Sequence, residues 1–77
     1  MIKKGKLYKS QFYYCLYLNK ELTGINKIYN PCIPFFTLTD VLEFEDYFYT
    51  KIFVDESVGY LAWLKTDEYF LKGIEEC

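Results

Sequence analysis

The sequence predicts a small α+β domain: a mostly antiparallel sheet with one or two helices, in the order ββαβα, over residues 1–77 as a single domain. Three observations predict it. The run from Leu7 to Leu18 is dense in aromatics and free of Gly and Pro, as a pleated strand prefers. Thr37 followed by Asp40 fits the pattern in which a hydroxyl caps a helix start. Turn residues punctuate the chain at short intervals, at Asn19-Lys20-Glu21, Asn30-Pro31 and Asp55-Glu56-Ser57.

In the first strand, Tyr8, Ser10, Phe12, Tyr14, Leu16 and Leu18 share one face, and Leu7, Lys9, Gln11, Tyr13, Cys15 and Tyr17 the other. Leu22 to Tyr29 is a return strand with a bulge or bend at Gly24, which completes a hairpin. Pro31 ends it, because proline donates no ladder hydrogen bond and holds Asn30 extended. Cys32 to Phe36 connects onward, with Ile33, Phe35 and Phe36 plugging the core. A helix then runs to about Thr50. Leu38, Val41, Leu42, Phe48 and Ile52 recur on its apolar side, and Asp40, Glu43, Asp46 and Tyr47 lie opposite. Val58 to Lys65 alternates as a strand, with a helix as the alternative that Gly59 disfavours. Thr66-Asp67-Glu68 starts a two-turn helix that Gly73 closes.

Composition narrows function. Nine Tyr, seven Phe and Trp63 stand in a chain that has no His and whose nine basic residues are all Lys. Histidine is the usual acid–base catalyst near neutrality, and arginine the usual bidentate reader of phosphates. No phosphate-binding glycine loop or nucleophile-elbow motif occurs, and Ser10 and Ser57 lack a histidine to activate them. Asp40, Glu43, Glu45 and Asp46 are acidic enough for Mg²⁺ but read better as a solvated helix face. The expectation is therefore a non-enzymatic protein with no catalytic residues, no metal and no cofactor. Cys15, Cys32 and Cys77 show no paired spacing and no signal peptide precedes them, which suits reduced thiols in the cytoplasm, with a Cys15–Cys32 bridge as the alternative. The longest apolar run, Phe12 to Leu18, is too short to span a membrane.

Charge is unevenly distributed. Residues 1–36 hold six lysines against Glu21, a balance of +5, while residues 37–77 hold three lysines against ten carboxylates, −7, giving the net −2. Either the fold separates a basic from an acidic face, or it interleaves them into ion pairs. Tyr and Trp are enriched where proteins meet other molecules, and with 52% hydrophobic residues the chain has more apolar surface than so small a core needs.

These features point to a protein-interaction module. Its candidate partner-binding residues are Glu43, Asp46, Tyr47, Trp63, Asp67 and Glu68: carboxylates to steer toward a basic surface, aromatics to anchor on it. In size, charge and residue usage the chain resembles the small acidic inhibitors carried by bacteriophages and mobile elements, anti-CRISPR proteins among them. That resemblance implies a viral-type inhibitor whose partner is a host protein with a basic, nucleic-acid-handling surface. Two alternatives stand beside it. One is a single-stranded nucleic-acid binder using Lys6, Lys9, Tyr13 and Tyr17. The other is a homodimeric structural or virion component.

Overall fold

Alternation of side chains, rather than helical periodicity, organises almost the whole chain. In the computed structural model, which describes residues 2–77, eight strands share one sheet. They are β1 (Leu7–Ser10), β2 (Tyr14–Tyr17), β3 (Ile25–Tyr29), β4 (Phe35–Thr37), β5 (Leu42–Phe44), β6 (Tyr47–Val54), β7 (Ser57–Leu64) and β8 (Ile74–Glu76), with one short helix, α1 (Glu68–Lys72), between β7 and β8. The strand order is β3-β2-β7-β6-β4-β1-β8, every pairing is antiparallel, and β5 adds to β6.

The expected α+β architecture is thus corrected to a nearly all-antiparallel β domain. The helix expected from the Thr37 cap to about Thr50 is instead β5 and the first half of β6, and Thr37 itself ends β4. Thr37 is no cap: it is fully buried, and its Oγ1 donates to the Lys3 and Lys6 carbonyls while accepting from Lys6 N–H. The physical reason lies in Tyr47–Val54. This run alternates Phe48, Thr50, Ile52 and Val54 on one face with Tyr47, Tyr49, Lys51 and Phe53 on the other. Aromatic and β-branched side chains fit that pleated surface better than a helix. β6 pairs with β7 along its full length, from Tyr47↔Leu64 to Val54↔Ser57. The connecting turn is Asp55-Glu56, both with positive φ (50° and 62°), as the commonest two-residue hairpin turn requires.

The expected first strand exists but is broken. Its chain bends at Gln11–Tyr13, so β1 joins β4 and β8 while β2 joins β3 and β7. Ser10 holds the corner: its Oγ accepts from Phe12 N–H, and its carbonyl accepts from Cys32 N–H. One chain segment thereby contributes to both halves of the sheet, which curls round a shared interior. The expected β2–β3 hairpin is present, with the ladder irregularity between Leu16 and Tyr17 rather than at Gly24. The second expected helix is α1, and Asp67 caps it by accepting from Tyr69 and Phe70 N–H.

The interior holds Ile2, Tyr8, Tyr14, Leu16, Tyr29, Phe35, Ile52, Val54, Leu61 and Trp63. Tyr14 stacks on Tyr29 and tilts against Phe35, and its hydroxyl donates to the Ile33 carbonyl at 2.7 Å. Phe35 plugs the core as expected, whereas Ile33 and Phe36 are exposed. At the other end α1 lays Phe70 flat on Trp63.

Candidate functional site

Both faces of this sheet are apolar, and only one of them is the core. An antiparallel sheet with one solvated face ordinarily alternates apolar-in with polar-out. Here the outward positions form apolar rows across the strands. Val58, Phe53, Phe36 and Leu7 are register partners in turn on β7, β6, β4 and β1. They are 51%, 44%, 38% and 44% exposed, respectively. The next row runs Ile25, Tyr17, Tyr60, Lys51 from β3 to β6, with Leu38 bonded through its N–H to the Lys51 carbonyl. A third row brings Ala62, Tyr49 and Leu42 together, and Cys15 faces Ile28 on the neighbouring pair. Tyr49 and Tyr60 meet edge-on within this surface.

Charge is almost excluded from these rows. Lys51 is the one charged side chain in them, and it makes no ion pair or ring contact among the described residues. Tyr17, half-buried in the same row, has its hydroxyl pushed above the ordinary tyrosine range, first by desolvation and then by the nearby Cys15 and Tyr47.

Elsewhere the two charged halves of the chain interleave. β1 aligns with β8 so that Lys6 meets Glu76 at 3.3 Å and Lys9 meets Glu75 at 3.9 Å. Lys27 on β3 reaches Asp55 in the β6–β7 turn at 3.0 Å, which raises the lysine's pKa, and Lys65 reaches Glu43 at 2.9 Å. The first three of these pairs join a lysine of the N-terminal half to a carboxylate of the C-terminal half, so the asymmetry is in part interleaved across strands.

The residues singled out from sequence fall into two groups. Glu43, Asp46 and Tyr47 gather at the β5–β6 turn, where Lys65 pairs with Glu43 and donates its N–H to the Asp46 carbonyl. Asp67 and Glu68 follow at the start of α1, Asp67 occupied as its cap. Trp63 is not at the surface with them: it is 5% exposed and belongs to the core. Of the alternative nucleic-acid set, Lys6 and Lys9 are ion-paired with β8, Tyr13 is exposed at the β1–β2 bend, and Tyr17 lies within the outer apolar rows. Sequence reasoning missed Phe36, Phe53 and Val58 as surface residues. Their signal was that the outward positions of the alternating runs Tyr47–Val54 and Ser57–Leu64 carry aromatic or aliphatic side chains, with Lys51 the one charge among them.

The remaining features offer little chemistry. The largest described concavity, about 410 Å³, is lined by Lys27, Ile28, Tyr29, Ile33, Pro34 and Asp55, and its one carboxylate is already held by Lys27. No three metal-ligating side chains gather among the described residues. All three cysteines are free. The Tyr29 hydroxyl and Trp63 indole N–H are buried without a hydrogen-bond partner among the described residues. Among those residues no helix is long and apolar enough to cross a membrane. No protein-family profile, curated protein or solved structure matches the chain.

Proposed function

We propose that this protein is a non-enzymatic protein-interaction module whose working surface is the outer face of its sheet. The observation that carries the proposal is the exposed row Val58–Phe53–Phe36–Leu7 together with the apolar rows beside it. Single exposed apolar residues are ordinary, but contiguous ones across four adjacent strands mark a contact surface. Tyr17 and Tyr60, both partly exposed, add the aromatic area on which binding energy concentrates, and Tyr60 is backed edge-on by the buried Tyr49. The free thiols, two of them exposed, suit a reducing cytoplasm.

The acidic surface favoured from sequence has weaker support. Glu43 is neutralised by Lys65, Asp67 is engaged as a helix cap, and Trp63 is unavailable as an anchor. A surface needs free charge to steer and exposed aromatics to hold, and the outer sheet face has the larger share of the second.

The test is a photo-crosslinking amino acid placed at Phe53 in one variant and at Glu21 in another, each expressed in cells. Position 53 is expected to give discrete protein adducts, while the exposed Glu21 gives none above background. Equal labelling from the two positions would end the proposal.

A further inference from the structure

We infer that the partner of this face presents an apolar surface with a carboxylate set among its apolar side chains, and that Lys51 is the residue that reads it. The inference rests on the reading above and names the chemistry of its occupant.

Lys51 has no charged partner on its own face among the described residues. Its neighbours on the outer face are Tyr49 and Phe53 along β6, Tyr60 across the β6–β7 ladder and Leu38 on the other side. No carboxylate stands in the three rows that surround it. Four of the other lysines, Lys6, Lys9, Lys27 and Lys65, do have carboxylate partners. Covering an apolar face removes water from everything in it, and an ammonium left unpaired there opposes association. A partner that brings a carboxylate converts that penalty into a charge-assisted hydrogen bond, shorter and stronger than a neutral one. Lys51 therefore selects among apolar partners: it accepts acidic ones and rejects basic or uncharged ones.

A second copy of the chain cannot supply that carboxylate. Face-to-face packing of two identical sheets would bury two Lys51 ammonium groups in rows that contain no carboxylate. The carboxylates of this chain lie at turns, strand edges and α1 rather than in those rows, and Asp55, in the adjacent turn, is taken by Lys27. Size is no obstacle to a heterologous partner. The Cα framework measures 29 × 26 × 21 Å, so its broad side can supply the roughly 800 Å² that a standard interface takes from each protein.

The probe is a random-sequence peptide library displayed on phage and panned against the wild-type chain, Lys51→Glu and Phe53→Glu, each checked for an unchanged circular-dichroism spectrum. Wild type is expected to enrich apolar peptides containing Asp or Glu. Lys51→Glu should lose those and enrich apolar peptides with Lys or Arg instead, and Phe53→Glu should enrich neither. An enriched acidic peptide should bind Lys51→Glu at least about tenfold more weakly, the cost of turning one charge-assisted contact into a repulsion. Should Phe53→Glu prove misfolded, Val58→Lys serves as the same control from β7. Enriched peptides that need Phe53 but carry no acid, or that ignore Lys51→Glu, would overturn the inference and leave the face a contact surface. A wild-type dimer in sedimentation that Phe53→Glu dissolves and Lys51→Met strengthens would overturn it in favour of a second copy. No enrichment and no self-association would remove both the inference and the reading under it.

Discussion

Gly59 sits where β2 crosses closest to β7, and replacing it with alanine tests that crossing directly. A Cβ at this position would lie 2.6 Å from the Leu16 Cδ1, 2.7 Å from its Cγ and 2.6 Å from the Tyr17 carbonyl oxygen. Ordinary contact begins near 3.4 Å, so the strands must part by about 0.8 Å or Leu16 must leave its rotamer. Neither is cheap, because Leu16 is fully buried and the second obstacle is backbone. Overpacking of this kind costs about 1–3 kcal/mol, and the lower entropy of an unfolded alanine returns up to about 1 kcal/mol. A net loss of about 1–2 kcal/mol remains. With an unfolding entropy of roughly 2.1 cal/mol/K per residue, that loss lowers Tm by about 6–12 °C in a chain of this length. Gly73 is the internal control. A Cβ there comes within 2.4 Å of Phe12, but only of its ring, and Phe12 is exposed and free to swing. Gly73→Ala should therefore cost under about 0.5 kcal/mol. Thermal melts followed by circular dichroism compare the two. A Gly59→Ala melt within about 2 °C of wild type, or equal losses for both variants, would refute the packing of β2 on β7.

Four further outcomes follow. Glu45, in the β5–β6 turn, has φ 52°, which strains any residue with a Cβ, so Glu45→Gly should raise stability by up to about 1 kcal/mol in a urea titration despite glycine's entropy. Burial pushes the Tyr14 hydroxyl well above the ordinary tyrosine range, with Tyr29 and Asp55 adding to it. The fold thus favours the neutral phenol: full stability holds below the unfolded-state pKa near 10 and falls as pH rises beyond it. Alkaline unfolding should begin there, and Tyr14→Phe should move it to higher pH while losing about 1 kcal/mol at neutral pH with the bond to Ile33. Asp67→Ala removes the acceptor of two N–H groups at the start of α1 and should cost about 1 kcal/mol, read as faster hydrogen exchange at Tyr69 and Phe70.

How much of this was legible in the sequence depends on which force fixes each element. Of the face assigned by alternation, Tyr8, Ser10, Tyr14 and Leu16 are buried, whereas Phe12, at the bend, and Leu18, past the end of β2, are exposed. The Asp55 turn and the Asp67 cap were legible because each rests on local chemistry. The region 37–50 was not. Val41 and Leu42 sit at helical spacing to Leu38, and the Glu45-Asp46 turn that makes it a hairpin carries no glycine or asparagine to announce a positive φ. Its strands exist because β6 is laddered on both sides, with β7 along one edge and with β5 and β4 along the other, and that cross-strand packing overrides the local helical spacing. The break in the first strand was hidden because a partner far along the chain fixes it: the Ser10 carbonyl accepts from Cys32 N–H. For the candidate site, composition disclosed a surplus of aromatic surface, but the choice of which aromatics face outward is a matter of register. Trp63 went inward and Phe53 outward because β6 and β7 pair Phe48 with Trp63 and Phe53 with Val58.

Cys15 offers a native reporter of whether the outer face is covered where the protein works. It is half-buried on β2 opposite Ile28, whereas Cys32 is exposed in the connector before β4. In a Cys77→Ser variant, the ratio of maleimide labelling at Cys15 to that at Cys32 reads the accessibility of the face against an internal standard. A contact surface predicts that this ratio falls severalfold in intact cells relative to dilute purified protein. The same ratio in both would contradict the claim that anything docks there.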